Sequence, residues 1–265
     1  PEVVDEYHQW AKFYLEKYSI QGMRLDAVKH IDFDFFYGWL AKIREKQDLL
    51  VVGEYWSSEL STILNYLIES EYAMSLFDVP FHFNLERASI EKEQYDLRTL
   101  FVGTLVQNLP HHAVTFVDNH DTQKGQSLES YIEPWFRESA NALILLREEG
   151  VPCVFYLDYL DPQIQKIMQL RNHMQEDRYD MFDDAHCIGW SYTSDPGLCV
   201  LISNKESVVK KMFVGKKHSD KVFKDALGNC NQEVLIDQKG NGMFKVEGQS
   251  LSVYTVEGEI DEIIL

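Results

Sequence analysis

The chain has 265 residues, room for one large domain or a medium domain followed by a small one. Hydrophobic residues make up 45% and charged residues 26%, which excludes a disordered chain, and no apolar run approaches the roughly 18 residues of a membrane span. Asp and Glu total 43 against 25 Lys and Arg, a net charge of −18; no general positive field exists to hold nucleic acid, and a neutral or cationic partner suits the surface better.

Apolar positions at Val3, Tyr7, Trp10, Ala11, Tyr14 and Tyr18 keep a 3.6-residue period, so the spacing predicts a helix over 3–18. Ile20–Asp26 reads as a short strand, and Asp32 caps a helix to about Glu45 that buries Phe36, Trp39, Leu40 and Ile43. Leu49–Glu54 is a continuous apolar run of the kind covered on both faces. A helix over Leu60–Glu69, a strand over Met74–Phe81 and helical segments up to Asn108 follow. Ala113–Asp118 is the fourth strand. A helix over 133–149 has Pro134 in its first turn and Gly150 at its C′ position. Val151–Tyr156 is the fifth strand, and Asp161-Pro162 opens a helix through Ile164, Ile167, Met168 and Arg171.

Beyond residue 180 the pattern changes to short β segments: 188–192, 198–202, 211–214, 233–236, 244–246 and 250–256. Turns such as Gly240-Asn241-Gly242 separate them, which predicts a small antiparallel sandwich. Five strand–helix units leave two architectures, a doubly wound sheet or the later part of an eight-stranded barrel; a leading helix with no strand before it favours the barrel. Cys153, Cys187, Cys199 and Cys230 form no C-x-x-C and no metal-like spacing, which points to packing thiols in a reducing compartment. Pro1-Glu2-Val3-Val4 shows no signal-peptide pattern.

In either architecture ligands meet the C-terminal ends of the strands. Three of those ends are charged: Arg24 and Asp26 with Lys29 and His30 beyond them, Glu54 beside Tyr55 and Trp56, and Asp118-Asn119-His120-Asp121. Singly, each has a bland reading, as an ion pair, an exposed strand end or an Asx turn. Three charged ends at once point to a site, because burying that much charge without a purpose is costly. Paired carboxylates perform glycoside hydrolysis when they stand about 5–5.5 Å apart, and Trp56 offers a face to a sugar ring.

At these positions the sequence resembles the α-amylase family of glycoside hydrolases, in its bacterial liquefying type. Gly22-Met23-Arg24-Leu25-Asp26-Ala27-Val28-Lys29-His30 is similar to the family's fourth-strand motif, Gly53-Glu54-Tyr55-Trp56 to its fifth and Phe116–Asp121 to its seventh. They occur in order, 28 residues from Asp26 to Glu54 and 67 from Glu54 to Asp121. The stretch from Glu133-Pro134-Trp135-Phe136 to Tyr156 extends the likeness, and residues past 180 match the family's β-domain most loosely. The resemblance implies an α/β fold: strands four to eight of a (β/α)8 TIM barrel over 1–179, then an antiparallel β-sandwich over 180–265. It implies endo-acting, retaining hydrolysis of α-1,4-glucosidic bonds in starch- or glycogen-type glucans. Asp26 is then the nucleophile, Glu54 the acid/base and Asp121 the third catalytic carboxylate. Arg24 orients Asp26, His120 binds the same sugar as Asp121, Trp56 lines the substrate, and Lys29 and His30 face the leaving group.

The family's third-strand motif and its inserted calcium-binding domain have no counterpart here, so of the calcium ligands only the backbone carbonyl of His30 is expected. Leu157 also replaces the family's usual Gly before Asp158. The chain therefore reads as a C-terminal piece whose partners are an α-glucan and the N-terminal part of the same enzyme, in the cytoplasm unless an unseen leader directs it to secretion. Two competitors remain at this level. One is a non-catalytic glucan-binding or interaction module. The other is a metal-dependent hydrolase using Asp118, His120, Asp121, Glu54 and His30, which Arg24 beside Asp26 opposes.

Overall fold

The structure is a computed structural model and describes residues 2–258. The helical period at the start does form a helix, α1 (Glu2–Lys17), but of its side chains only Ala11 is buried. Tyr7 packs edge-on against Phe35 and Trp39, whereas Trp10 and Phe13 are half exposed. β1 (Gly22–Leu25) follows, then α2 (Phe33–Arg44), capped by the Asp32 carboxylate, which accepts from the Asp34 N–H at 3.0 Å. This helix buries Phe36, Trp39, Leu40 and Ile43, as the period predicts.

β2 (Leu50–Gly53) buries Val51 and Gly53 but leaves Leu50 63% exposed, so the apolar run is not covered on both faces. Alternate residues of a strand face opposite ways, and only one of its two faces is packed here. After α3 (Leu60–Glu69), β3 is shorter than the apolar run suggests, Ser75–Phe77, because Asp78 ends it. That buried carboxylate accepts from the N–H groups of Phe81 (3.1 Å), Leu105 (3.0 Å) and Val106 (2.7 Å). It thereby holds the first turns of α4 (Val79–Glu91) and α5 (Leu105–Asn108). Burial pushes its carboxyl up to about 6 against the pull of these three donors.

β4 (Ala113–Phe116) is buried throughout. α6 (Pro134–Leu145) ends four residues before the sequence expectation, with Leu146 as its C-cap. Gly150, at φ +78°, turns the chain into β5 (Val151–Cys153) rather than closing the helix. α7 (Tyr156–Tyr159) and α8 (Pro162–Leu170) follow, the latter capped by Asp161.

The five strands form one sheet in the order β1-β2-β3-β4-β5, with parallel pairing across the first four. A doubly wound sheet reverses its order partway; a sheet that runs in chain order without reversal is wound as a barrel is. The sheet order thus decides between the two architectures left open by periodicity.

The remaining strands are β6 (Arg178–Asp184), β7 (Cys187–Tyr192), β8 (Leu198–Ser203), β9 (Val208–Phe213), β10 (Val222–Asp225), β11 (Val234–Leu235), β12 (Asn241–Val246) and β13 (Ser250–Val256). β6 and β10 have no counterpart among the sequence-predicted segments: both are half polar and owe their place to pairing with β7 and β13. Six strands form an antiparallel sheet, β11-β10-β13-β8-β7-β6, and β12 pairs with β9 in a separate ribbon. Phe223, Phe244, Tyr254, Leu201, Met212 and Val246 fill the core between them.

The chain divides into two compact units. The first runs to Phe83 and adds Val102–Thr115 and Glu149–Val151; the second comprises Asn84–Phe101, Phe116–Glu148 and the rest of the chain from Pro152.

Candidate active site

In the first unit, β1 and β2 are parallel neighbours with Arg24 opposite Val52 and Leu25 opposite Gly53. Their ends are laced together: the Glu54 N–H donates to the Leu25 carbonyl at 2.9 Å and the Val28 N–H to the Glu54 carbonyl at 3.0 Å. This register brings Arg24, Asp26 and Glu54 together. One guanidinium nitrogen of Arg24 donates to Asp26 Oδ1, and the other lies 2.9 Å from Glu54 Oε1. Glu54 is buried at 6% exposure, whereas the Asp26 side chain is open to solvent.

Between them Ala27 adopts the left-handed conformation, φ 44° and ψ 44°, which costs a residue with a Cβ about 1 kcal/mol. Its return is position: the Ala27 N–H reaches Glu54 Oε2 at 3.2 Å. Glu54 therefore meets a cation on one oxygen and a backbone donor on the other. Lys29 donates from Nζ to the Trp56 carbonyl at 3.3 Å, and His30 closes the short 3-10 turn, exposed. The Trp56 ring lies against His82 (5.7 Å between centroids) and Phe83 (5.9 Å).

His120 and Asp121 belong to the second unit, in the turn after β4. Asn119 accepts from the N–H groups of Asp121 (2.8 Å) and Thr122 (3.0 Å), so the Asx turn expected there forms through Asn119. His120 Nε2 stands 3.2 Å from Asp121 Oδ2. Asp118 points inward, buried, and accepts from the Thr122 hydroxyl at 2.9 Å. Burial pushes its carboxyl up to about 6, opposed by Thr122 and Arg137 and reinforced by Asp158. Arg137 stands 3.6 Å from both Asp118 and Asp158.

Sequence reasoning missed Arg137, Asp158 and Asp78. The available signals were an Arg in the first turn of a helix rich in apolar residues and, for Asp78, a carboxylate directly after a strand. The left-handed Ala27 left no sequence signal at all.

Calcium needs six to eight oxygen ligands. Among the described residues no group of three or more His, Cys, Asp or Glu side chains could hold a metal ion, so no carboxylate cluster accompanies the His30 carbonyl. These residues do not fit a calcium ion, and the five-ligand metal-hydrolase reading finds no cluster either. Among the described residues no helix is long and apolar enough to cross a membrane.

The alpha amylase catalytic-domain model matches residues 1–198, and the alpha-amylase C-terminal model matches residues 198–255. The alpha-amylase of Geobacillus stearothermophilus is 43% identical over 96% of this chain and 50% of its own length. The glucan 1,4-alpha-maltohexaosidase of Bacillus sp. (strain 707) is 39% identical over 96% of this chain and 52% of its own. The cytoplasmic alpha-amylase of Escherichia coli (strain K12) is 37% identical over 96% of this chain and 57% of its own. Among solved structures, an Anoxybacillus alpha-amylase superposes with a TM-score of 0.71 at 20% identity, over 97% of this chain and 63% of that one, which speaks for the fold. The chain thus spans about half the length of the curated relatives it matches. On the match to the catalytic-domain model and these identities, the chain belongs to the alpha-amylase family.

Proposed function

We propose that the chain is the C-terminal part of a retaining α-1,4-glucan hydrolase acting on starch- or glycogen-type glucans. β1 to β5 would be strands four to eight of its barrel, with the all-β domain taken from residue 180. The observation that carries the reading is one guanidinium shared by two carboxylates on adjacent strand ends, Asp26 and Glu54. Two carboxylates held by one arginine are neighbours, as a retaining nucleophile and its acid/base partner have to be.

In this reading Asp26 attacks the anomeric carbon as the glycosidic C–O bond breaks, and Glu54 gives its proton to the departing oxygen. Water then attacks the glycosyl–Asp26 ester while Glu54 takes back a proton, and the product keeps the α configuration. Arg24 orients Asp26 through one guanidinium nitrogen and lies against Glu54 with the other. Asp121 and His120 would hold hydroxyls of the sugar being cleaved, Trp56 would offer an apolar face, and Lys29 and His30 would lie toward the leaving group. No step runs through calcium. The N-terminal part of the same enzyme is the protein partner this reading implies. The name of the E. coli relative and four free thiols support a cytoplasmic location.

The test is covalent trapping. A 5-fluoro-α-glycosyl fluoride incubated with the chain, then peptide mass spectrometry, should place one glycosyl group on Asp26. Fluoride departs without a proton whereas water attack on the ester needs a base, so Glu54→Gln should leave labelling intact and lengthen the lifetime of the label by at least about a hundredfold. A label on another residue, or a label lifetime that Glu54→Gln leaves unchanged, would overturn the assignment.

A further inference from the structure

We infer that Arg137 is a positioning residue for Asp121: it keeps Asp118 ionised, and Asp118 closes the neck of the loop that carries His120 and Asp121. The part of this that concerns sugar binding rests on the function proposed above.

The loop leaves β4 at Asp118 and rejoins the fold at α6. Asp118 grips both its ends, accepting from the Thr122 hydroxyl at 2.9 Å and from the Ile132 N–H at 3.4 Å. Within the loop the Ser130 N–H donates to the Thr122 carbonyl (3.0 Å) and the Leu128 N–H to the Asp121 carbonyl (3.2 Å). Arg137, in the first turn of α6, donates to the Ile132 carbonyl at 3.3 Å and stands 3.6 Å from Asp118 and from Asp158. Asp158 is buried too and accepts from the Asn141 amide at 3.3 Å. Burial, and after it the charge of Asp118, pushes the Glu86 carboxyl up.

Two buried carboxylates, Asp118 and Asp158, thus share one partly exposed guanidinium. A buried carboxylate without a counter-charge takes up a proton rather than remaining ionised. Protonated Asp118 would no longer accept at both neck contacts: either the Thr122 contact reverses, its hydroxyl turning to the Asn119 carbonyl at 3.3 Å, or the Ile132 N–H loses its acceptor. The loop would then lose the closure that fixes Asp121 three residues away. The two contacts to Asp118 and Asp158 are at ion-pair rather than hydrogen-bond distance, so a point charge is what the site requires, and lysine should supply it.

The test uses the full chain with Arg137→Met, Arg137→Lys, Thr122→Val and the double variant Arg137→Met/Thr122→Val. The readout is the His120 ring ¹H–¹³C signal, assigned by its loss in His120→Gln, since that ring senses the Asp121 carboxylate 3.2 Å away. Maltohexaose affinity is measured alongside by calorimetry. Arg137→Met and Thr122→Val should each displace the His120 signal, and the double variant should displace it no further than either one. Arg137→Lys should restore the signal. Maltohexaose affinity should fall about tenfold in Arg137→Met, one charge-assisted contact's worth, and recover in Arg137→Lys.

An unmoved His120 signal in folded Arg137→Met overturns the inference. So does equal displacement by Arg137→Lys, which lost packing alone would give. If Arg137→Met does not fold, Thr122→Val decides, and an unmoved signal there overturns it equally. Wild-type chain that binds no maltohexaose refutes the glucan reading alone, because the His120 signal still judges the positioning role.

Discussion

Arg147 is a position where a single substitution should cost the second unit several kcal/mol. Its side chain, 9% exposed, follows the end of α6 and lies over three rings, Phe101 at 4.8 Å, Phe182 at 5.4 Å and Trp190 at 5.4 Å. It also donates to both oxygens of Asp180, at 3.1 and 3.4 Å. Arg147→Ala removes two buried methylenes, worth about 1.6 kcal/mol. Loss of a desolvated cation–π arrangement adds about 1–2 kcal/mol. The carboxylate contact adds only about 0.5–1 kcal/mol, because Asp180 is 39% exposed and keeps Arg178 at 3.1 Å. The sum, about 3–5 kcal/mol, should accelerate native-state hydrogen exchange of the β7 and β8 amides by about a hundredfold to several thousandfold. Arg147→Lys keeps stem and charge but not the planar fork over the rings, so it should recover about half of the loss. This site differs from Arg137, where lysine should suffice. Exchange in Arg147→Ala that quickens by less than about tenfold, or an Arg147→Lys variant equal to wild type, would refute this account of the contact.

Asp118 has a carboxyl raised to about 6, so the folded chain binds its proton more tightly than the unfolded one, and the associated stability is lost as pH rises through 6. Wild type minus Asp118→Asn, compared by melting temperature at pH 5 and 7.5, should therefore favour wild type at the lower pH, by about 1.4 kcal/mol. The difference is needed because burial lowers the pKa of His218, which acts in the opposite sense across the same window. A difference that does not change with pH would contradict the buried-carboxylate account. Gly240 sits at φ +84°, and a Cβ there would stand 2.5 Å from the Gly215 carbonyl carbon and 2.6 Å from the Lys216 nitrogen. Gly240→Ala should thus cost at least about 2 kcal/mol in urea unfolding, and a loss within about 0.5 kcal/mol would show that the hairpin can yield. Cys153 is exposed while Cys187, Cys199 and Cys230 are buried, so a thiol reagent should find one group in the native chain and all four after denaturation.

Much of this was legible in the residue order because it depends on near neighbours. The Asp32 cap of α2, the α3 limits and the Asx turn at Asn119 are all settled within a few positions of the residues that make them. The strand-end motifs that carry Asp26, Glu54 and Asp121 are local runs as well, and their order along the chain pointed to the family that the comparisons then established. Element limits failed where a distant group intervened. Met74–Phe81 carries one apolar pattern, yet Asp78 ends the strand because the N–H groups of Leu105 and Val106, 27 and 28 positions away, converge on its carboxylate.

The sequence by itself determined the strand–helix alternation, the change to short β segments near residue 180 and which strand ends carry charge, since periodicity and side-chain chemistry are written residue by residue. Tertiary structure alone decided that the five strands run in chain order, because sheet order follows from which edges find one another. It alone made Arg24 a shared partner of two carboxylates and set Arg137 between Asp118 and Asp158. Those contacts depend on strand register and on the burial of charges far apart in sequence, and an ion pair 19 or 21 positions long leaves no periodic trace in the chain.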